Sequence, residues 1–192
     1  MECFEKALNI AREAGDQATE GDIYVCLGVV YTLRSDLPKA IEWCEKSLPI
    51  VREEGSPAKE GTVYLILGIL YNSHNDLPKA IECFEKASNC AREAGDRDTE
   101  GRACLNLGIV YNSRYDLPKA IESYEKALNI ARKAADRAGV IPVSQCLEDC
   151  YLALGDVVKR SERRANTEEA TEGSASIIQG NFYRYFSEFR KQ

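Results

Sequence analysis

The side chains of this 192-residue chain that could carry out chemistry are eight cysteines, one histidine and 31 acidic residues. Zinc sites and disulfide frameworks need cysteines or histidines at short, regular spacings, and no C-x-x-C pair occurs here. Cys146 and Cys150 are four residues apart and would share one helix face, but two thiolates alone make a poor metal site. The sequence therefore predicts no metal and no cofactor, and it favours reduced thiols in the cytoplasm.

Catalysis is not indicated either. His74 is the single histidine, and the Ser73–Asp76 segment around it is typical of a solvated turn. A Ser-His-Asp arrangement would have to use this residue, and no glycine-rich phosphate loop follows a strand. The carboxylates are spread along helix faces, as on a solvated surface. We expect no catalytic residues and no enzymatic activity.

Composition limits the classes of partner. The hydrophobic fraction of 44% is that of a folded chain. The net charge of −6 and the pI near 5.1 disfavour nucleic acid, which needs a basic surface. No run of about 18 apolar residues is present to span a membrane. The first residues also carry acids among the apolar positions, unlike a signal peptide.

An internal repeat organises the chain. Asp36–Glu42 (DLPKAIE) recurs unchanged at Asp76–Glu82 and Asp116–Glu122, at intervals of 40 residues. Each period contains two helical patterns. Asp36 stands where an N-cap belongs, because the following proline suits the first turn of a helix. Pro49, which is inside the second helix of the first copy alone, is expected to kink or shorten that helix.

Small and aromatic residues recur in every period. Gly28 and Ala40, with their counterparts, are expected where the two helices of a repeat approach most closely, and the aromatic residues would fill the space between repeats. The matching positions are Tyr24, Leu27, Gly28, Tyr31, Ala40 and Cys44, then Tyr64, Leu67, Gly68, Tyr71, Ala80 and Phe84, and then Cys104, Leu107, Gly108, Tyr111, Ala120 and Tyr124.

This pattern resembles the tetratricopeptide repeat family. The resemblance implies an all-α, right-handed superhelical solenoid of helix-turn-helix repeats that acts as a protein-binding adaptor or scaffold. The period of 40 residues exceeds the usual length of about 34 and is similar to the repeats of cell-polarity and spindle-orientation adaptors.

The repeats divide the chain into four parts. The pattern predicts that residues 1–16 are the second helix of a truncated repeat that lacks its first helix. Residues 17–136 are predicted to form three full repeats. Residues 137–172 form a degenerate fourth repeat, in which Glu148 replaces the small glycine. Residues 173–192 read as an amphipathic C-terminal helix.

The first helices of the first two repeats are apolar all the way round over Ile23–Tyr31 and Val63–Tyr71, although a helix packed on one side should have a polar face. In the family this chain resembles, these helices line the concave surface, which implies an apolar groove for a helical or extended peptide. The positions expected to face it are Val25, Cys26, Val29, Leu65, Ile66, Ile69, Leu105, Asn106 and Ile109. Arg102, Asn72, Asn106 and Asn112 could hydrogen-bond a peptide backbone. Alternatively, crowding by neighbouring helices hides much of this surface.

The C-terminal segment is a candidate occupant of the groove. Its apolar residues have helical spacing and are Ile177, Ile178, Phe182, Tyr185, Phe186 and Phe189. The same helix could instead cap the last repeat, or cross into a second copy as a domain swap. A self-assembly module that forms a homodimer through the N-terminal edge or the tail is the alternative function, and a regulatory domain of a larger enzyme is a third.

Overall fold

The structure is a computed structural model that describes residues 2–134, 137–153 and 155. Over these residues it contains eight α-helices and no strand. The helices are α1 Glu2–Ala14, α2 Gln17–Leu33, α3 Leu37–Glu53, α4 Pro57–Ser73, α5 Leu77–Ala94, α6 Arg97–Ser113, α7 Leu117–Lys133 and α8 Arg137–Ala153. None of these helices has the length and apolarity needed to cross a membrane.

Residues 1–150 form one compact unit, and the described residues from Tyr151 onward are assigned to another. Within the first unit, α2 pairs with α3, α4 with α5 and α6 with α7, and each pair stacks on the next. Buried side chains of α3 to α6 form a continuous core between the pairs. The expected arrangement of helix-turn-helix repeats is therefore confirmed.

The N-caps form as the sequence predicts. The carboxylates of Asp36, Asp76 and Asp116 accept the backbone N–H three residues on, at 3.3, 3.3 and 3.4 Å. A proline occupies the first turn of each helix that follows. Because these caps satisfy otherwise unpaired N–H groups, they fix where each second helix begins.

The residue before each of these caps has a left-handed backbone, with φ of 59° at Ser35, 62° at Asn75 and 59° at Tyr115. Asparagine tolerates this conformation, whereas tyrosine is an unusual occupant. The turn geometry is thus kept in all three repeats although the residue type changes.

The two helices of a repeat meet at a glycine. A Cβ atom added to Gly68 would lie 2.5 Å from the ring of Phe84, which is fully buried in α5. Cys44 and Tyr124 lie equally close against Gly28 and Gly108. Ala40, Ala80 and Ala120 are likewise fully buried in the second helices. The predicted close approach is confirmed.

Pro49 does not shorten its helix. α3 is continuous through this residue to Glu53 and has 17 residues, the same number as α7. The proline removes one backbone hydrogen bond, but Ser47 and Val51 on either side of it are buried. Packing of the last turn therefore outweighs the lost bond, and the expected shortening is wrong.

A polar contact links successive repeats at two places. Arg12 at the end of α1 pairs with Glu20 of α2 at 2.9 Å and donates a hydrogen bond to Tyr24 at 2.7 Å. Arg52, Glu60 and Tyr64 repeat the arrangement between α3 and α4, with an ion pair at 2.9 Å. We call each set an Arg–Glu–Tyr link.

The third junction between repeats, that of α5 with α6, lacks this link. Cys104 replaces the tyrosine, and its sulfur lies 3.6 Å from the hydroxyl of Ser88. Arg92 donates instead to Asn89 of its own helix. The junction between α5 and α6 is therefore made mainly by apolar packing.

Candidate peptide-binding surface

The first helices α2, α4 and α6 leave one narrow face open between their neighbours. Val29, Ile69 and Ile109 occupy the same position in these three helices and are 43%, 37% and 41% exposed. Exposed β-branched side chains at one position of three successive repeats form a row, which we call the apolar stripe. It is a solvent-exposed apolar part of the predicted groove.

The other predicted apolar positions differ in accessibility. Cys26 is exposed, whereas Val25, Ile66 and Leu105 are half-buried. Leu65 is only 2% exposed and belongs to the core between repeats, so it offers a partner almost no surface. The expectation that Leu65 faces a groove is corrected by this burial.

Neighbouring helices cover most of the apolar circumference of α4. Val63, Leu67, Leu70 and Tyr71 are all buried, because α4 contacts α3, α5 and α6. Crowding therefore accounts for much of the all-round apolarity that the sequence shows. Ile69 and part of Ile66 are what remains for a partner.

Polar groups appear beside the apolar stripe on α6. Asn106 donates its side-chain N–H to the carbonyl of Arg102 at 2.8 Å, and Arg102 pairs with Asp98 at 3.7 Å. Asn112 is exposed and Asn72 is half-buried. The equivalents of Asn106 in α2 and α4 are cysteine and isoleucine, so the surface becomes more polar toward the third repeat.

Two residues of this surface were not predicted from the sequence. Leu33, at the end of α2, is 82% exposed and extends the apolar area on that helix. Asp149 of α8 is exposed and occupies the position of the apolar stripe one repeat further on. It accepts a hydrogen bond from Gln145 at 3.2 Å. Counting one repeat interval of 40 residues on from Ile109 in the sequence would have identified Asp149.

The buried cysteines are not set up for nucleophilic chemistry. Cys44 and Cys83 are buried as predicted, and desolvation raises the pKa of Cys44 to about 12 and that of Cys83 to about 11. Burial also raises the pKa of Cys104, which is buried too. These thiols are protonated at neutral pH and serve as packing groups. Among the described residues, no group of three or more potential ligands could hold a metal ion.

The C-terminal candidates are outside the described residues. These are Ile177, Ile178, Phe182, Tyr185, Phe186 and Phe189. Their docking therefore stays a prediction from the sequence.

Stacked helix pairs with an open face on each first helix define an α-solenoid repeat protein. The chain belongs to the tetratricopeptide repeat family: two models of that repeat match residues 19–93 and residues 101–137, together more than half of the chain. Repeats of this kind generally serve as protein-interaction modules without enzymatic activity.

Solved structures show the same fold. BtubC (BKLC) from P. vanneervenii is similar with a TM-score of 0.71 and 23% identity, over 90% of this chain and 76% of that one. Aspartyl phosphate phosphatase F from Bacillus subtilis has a TM-score of 0.74 and 17% identity, over 97% and 48%. The apo form of RapI has a TM-score of 0.78 and 16% identity, over 91% and 49%.

This chain therefore spans about half the length of the latter two proteins. No curated protein sequence matches it significantly.

Proposed function

We propose that this chain is a non-enzymatic scaffold that binds an apolar helical or extended segment of a partner protein on the open faces of α2, α4 and α6. The observation that carries this proposal is the apolar stripe, Val29, Ile69 and Ile109, exposed at one position of three successive repeats. Covering a side chain of this size completely contributes about 1.5–3 kcal/mol, so a segment that covers three partly exposed ones gains useful affinity.

Polar groups on α6 support backbone recognition beside these apolar contacts. The amide oxygen of Asn106 and the side chain of exposed Asn112 can bond a peptide main chain. Arg102 is exposed, and its ion pair with Asp98 is long, at 3.7 Å. Because such an exposed pair is weak, Arg102 can leave Asp98 and bind a group of the peptide instead. The third repeat would therefore fix the register of a segment that the first two repeats hold by apolar contact.

Selection from a random peptide library tests the proposal with identified ligands. We expect the selected peptides to be rich in apolar residues and to lose at least about tenfold in affinity for Ile69→Asp, because binding would desolvate the new carboxylate. Asn129→Asp adds the same charge on an exposed residue of α7 and should leave affinity unchanged. Peptides that bind both variants equally well would contradict the proposed site.

The sequence also supports a competing occupant, the chain's own segment from Ile177 to Phe189. We propose that this segment competes with an external peptide for the apolar stripe, since tethering gives it a high effective concentration. Replacing Phe182 and Phe186 with Asp should then increase the affinity for a selected peptide. Tyr183→Asp, off the apolar face, is the matched control. Equal affinity in both variants would exclude competition.

Self-association is a second candidate function, favoured by one observation on α1. Ile10 is 66% exposed, and Phe4 and Ala7 on the same helix are only half-buried. We propose that the surface of α1 around Ala7 and Ile10, which are three residues apart, pairs with a second copy of the chain. Sedimentation velocity over a range of concentrations should show a dimer that Ile10→Lys disrupts, whereas a monomer at all concentrations would refute this role.

A further inference from the structure

The apolar stripe presents its side chains at a regular interval. Lys59 of α4 contacts Asp22 of α2 at 3.3 Å, α4 packs against α6, and Cys150 of α8 contacts Asn112 of α6 at 3.7 Å. Packed helix axes lie about 8–10 Å apart. This distance applies to the packed pair α4 and α6. Since the repeat gives successive first helices equivalent positions, we extend it to α2 and α8, so that a partner crossing these helices meets one stripe position roughly every 10 Å.

An α-helix matches this interval. Seven residues of helix rise about 10.5 Å and make nearly two full turns, so every seventh residue returns to the same face. In a strand, residues on one face are spaced by about 6.6 Å or 13 Å, which fits less well. A polyproline II helix repeats every three residues, at about 9.3 Å, and remains a competitor on spacing alone.

The width of the open surface favours the α-helix. On α2 and α4 the stripe residue has an accessible neighbour three positions earlier, Cys26 beside Val29 and Ile66 beside Ile69. An α-helix places side chains at three- and four-residue steps along one edge and covers two such columns together. A polyproline II helix presents a single side chain per turn to a surface.

The position that follows the apolar stripe in the next repeat carries a negative charge. On α8 this position is Asp149, an exposed carboxylate that has a hydrogen bond from Gln145 and no ion pair within the described part of the chain. An apolar residue of the partner placed there would desolvate this carboxylate at a cost. A lysine or arginine side chain could pair with it instead.

We infer that the preferred partner segment is an amphipathic α-helix with three apolar residues at seven-residue intervals and a basic residue one interval further on. The helix crosses α2, α4 and α6 with its apolar residues on the apolar stripe, and its basic residue pairs with Asp149. This inference rests on the proposed function and specifies the chemistry of its ligand.

Designed peptides on a helix-forming Ala/Gln background test this inference by fluorescence anisotropy. The first peptide carries three leucines at seven-residue spacing and an arginine one interval on. The second has the same composition at six-residue spacing, which turns the leucines away from a common face. The third replaces the arginine with glutamine, and a fourth is a polyproline peptide with leucine at every third residue. We expect the first to bind at least about tenfold more tightly than the second and the fourth.

Variants of the full chain locate the bound peptide. Asp149→Asn should weaken binding of the arginine peptide by about two- to fivefold, the range of an exposed ion pair, and should not affect the glutamine peptide. Ile69→Asp should weaken both peptides, and Asn129→Asp neither. Circular dichroism melting of each variant confirms that it is folded.

The outcomes separate this inference from the proposed function. If peptides at both spacings bind equally and both lose affinity with Ile69→Asp, the surface binds apolar segments and the helical register is wrong. Tighter binding of the polyproline peptide overturns the helical form. An equal loss of both the arginine and the glutamine peptide with Asp149→Asn overturns the charge pairing. If no peptide depends on Ile69, the proposed function itself fails.

Discussion

Gly68 shows how strongly a single side chain is constrained at the contact between the two helices of a repeat. The ring of Phe84 lies where a Cβ atom would be, and Phe84 has no exposed surface into which it could move. We expect Gly68→Ala to lower the free energy of unfolding by about 1–3 kcal/mol, the range for overpacking. Chemical denaturation measures this loss.

Gly101→Ala is the matched control for that substitution. Its added carbon would meet only side-chain atoms of Ile130, of which Cγ2 is nearest at 3.3 Å. Because alanine is a better helix former than glycine by about 0.5–1 kcal/mol, this variant should be neutral or more stable. Similar losses in both variants would mean that Gly68 is not a point of close helix contact.

Asp96 gives a prediction about pH. Hydrogen bonds from Thr99, first from its side chain and then from its backbone N–H at 3.1 Å, hold the pKa of this carboxyl below its usual value. The folded state thus favours the charged form. The stabilisation is present above the unfolded pKa of about 3.9 and is lost as the pH falls through the lower folded value.

Asp96→Ala should therefore lower the free energy of unfolding by about 1 kcal/mol at neutral pH, the typical value of an N-cap. The difference from the unmodified chain should shrink below about pH 4. Asp98→Ala, in the same first turn, removes a carboxylate that does not cap the helix and is the control. A difference that stays constant down to pH 2 would rule out the charged cap.

At the scale of the elements, the Arg–Glu–Tyr links decide how strongly successive repeats are joined. The hydroxyl of buried Tyr64 accepts a hydrogen bond from Arg52. Tyr64→Phe keeps the ring and removes this bond, so we expect a loss of about 1 kcal/mol in the free energy of unfolding. Thermal denaturation with a calorimetric enthalpy gives the value.

Tyr31→Phe is the control for Tyr64→Phe. The Tyr31 hydroxyl has no hydrogen bond to any of the residues that the structure describes, and its ring lies 5.4 Å from the ammonium of Lys39. That cation–π contact survives the substitution, so stability should not change. An equal loss in both variants would attribute the effect to the tyrosine rings and not to the link.

Sequence patterns predict the elements better than they predict which faces are covered. The Asp-Leu-Pro segments determine where each second helix begins, because the cap and the proline act locally. The burial of Leu65 and the exposure of Leu33 depend on neighbouring helices that are distant in sequence. A helix that is apolar on every side, such as α4, gives no local signal for its open face.

At the scale of the whole molecule, stability should be unequal along the chain. Besides the link through Arg12, α1 packs against a small cluster through Leu8 and Ala11, and Ile10 is exposed, whereas α4 and α5 belong to the continuous core. In a dilute sample we expect amides of residues 4–11 to exchange hydrogen faster than those of α5. Raising the protein concentration should slow their exchange only if α1 forms a dimer contact.

The candidate site was predicted in part. The repeat register correctly indicates that Val29, Ile69 and Ile109 share one face, because a fixed period places equivalent residues in equivalent surroundings. The same register extended by one period reaches Asp149, whose charge changes the expected ligand. The segment from Ile177 onward was predicted from helical spacing alone, and that spacing does not reveal what the helix packs against.

The side chains that lie against Gly28, Gly68 and Gly108 differ greatly in size: cysteine, phenylalanine and tyrosine. The segments that open the second helices, Asp36–Glu42, Asp76–Glu82 and Asp116–Glu122, are identical, so these segments alone would let a second helix pair with the wrong first helix. Cys44 placed against Gly68 would leave a void, whereas Tyr124 fitted at Gly28 would face surroundings shaped for a much smaller group. These three contacts therefore disfavour pairing of a second helix with the wrong first helix during folding. For the same reason they disfavour exchange of helices between two copies of the chain.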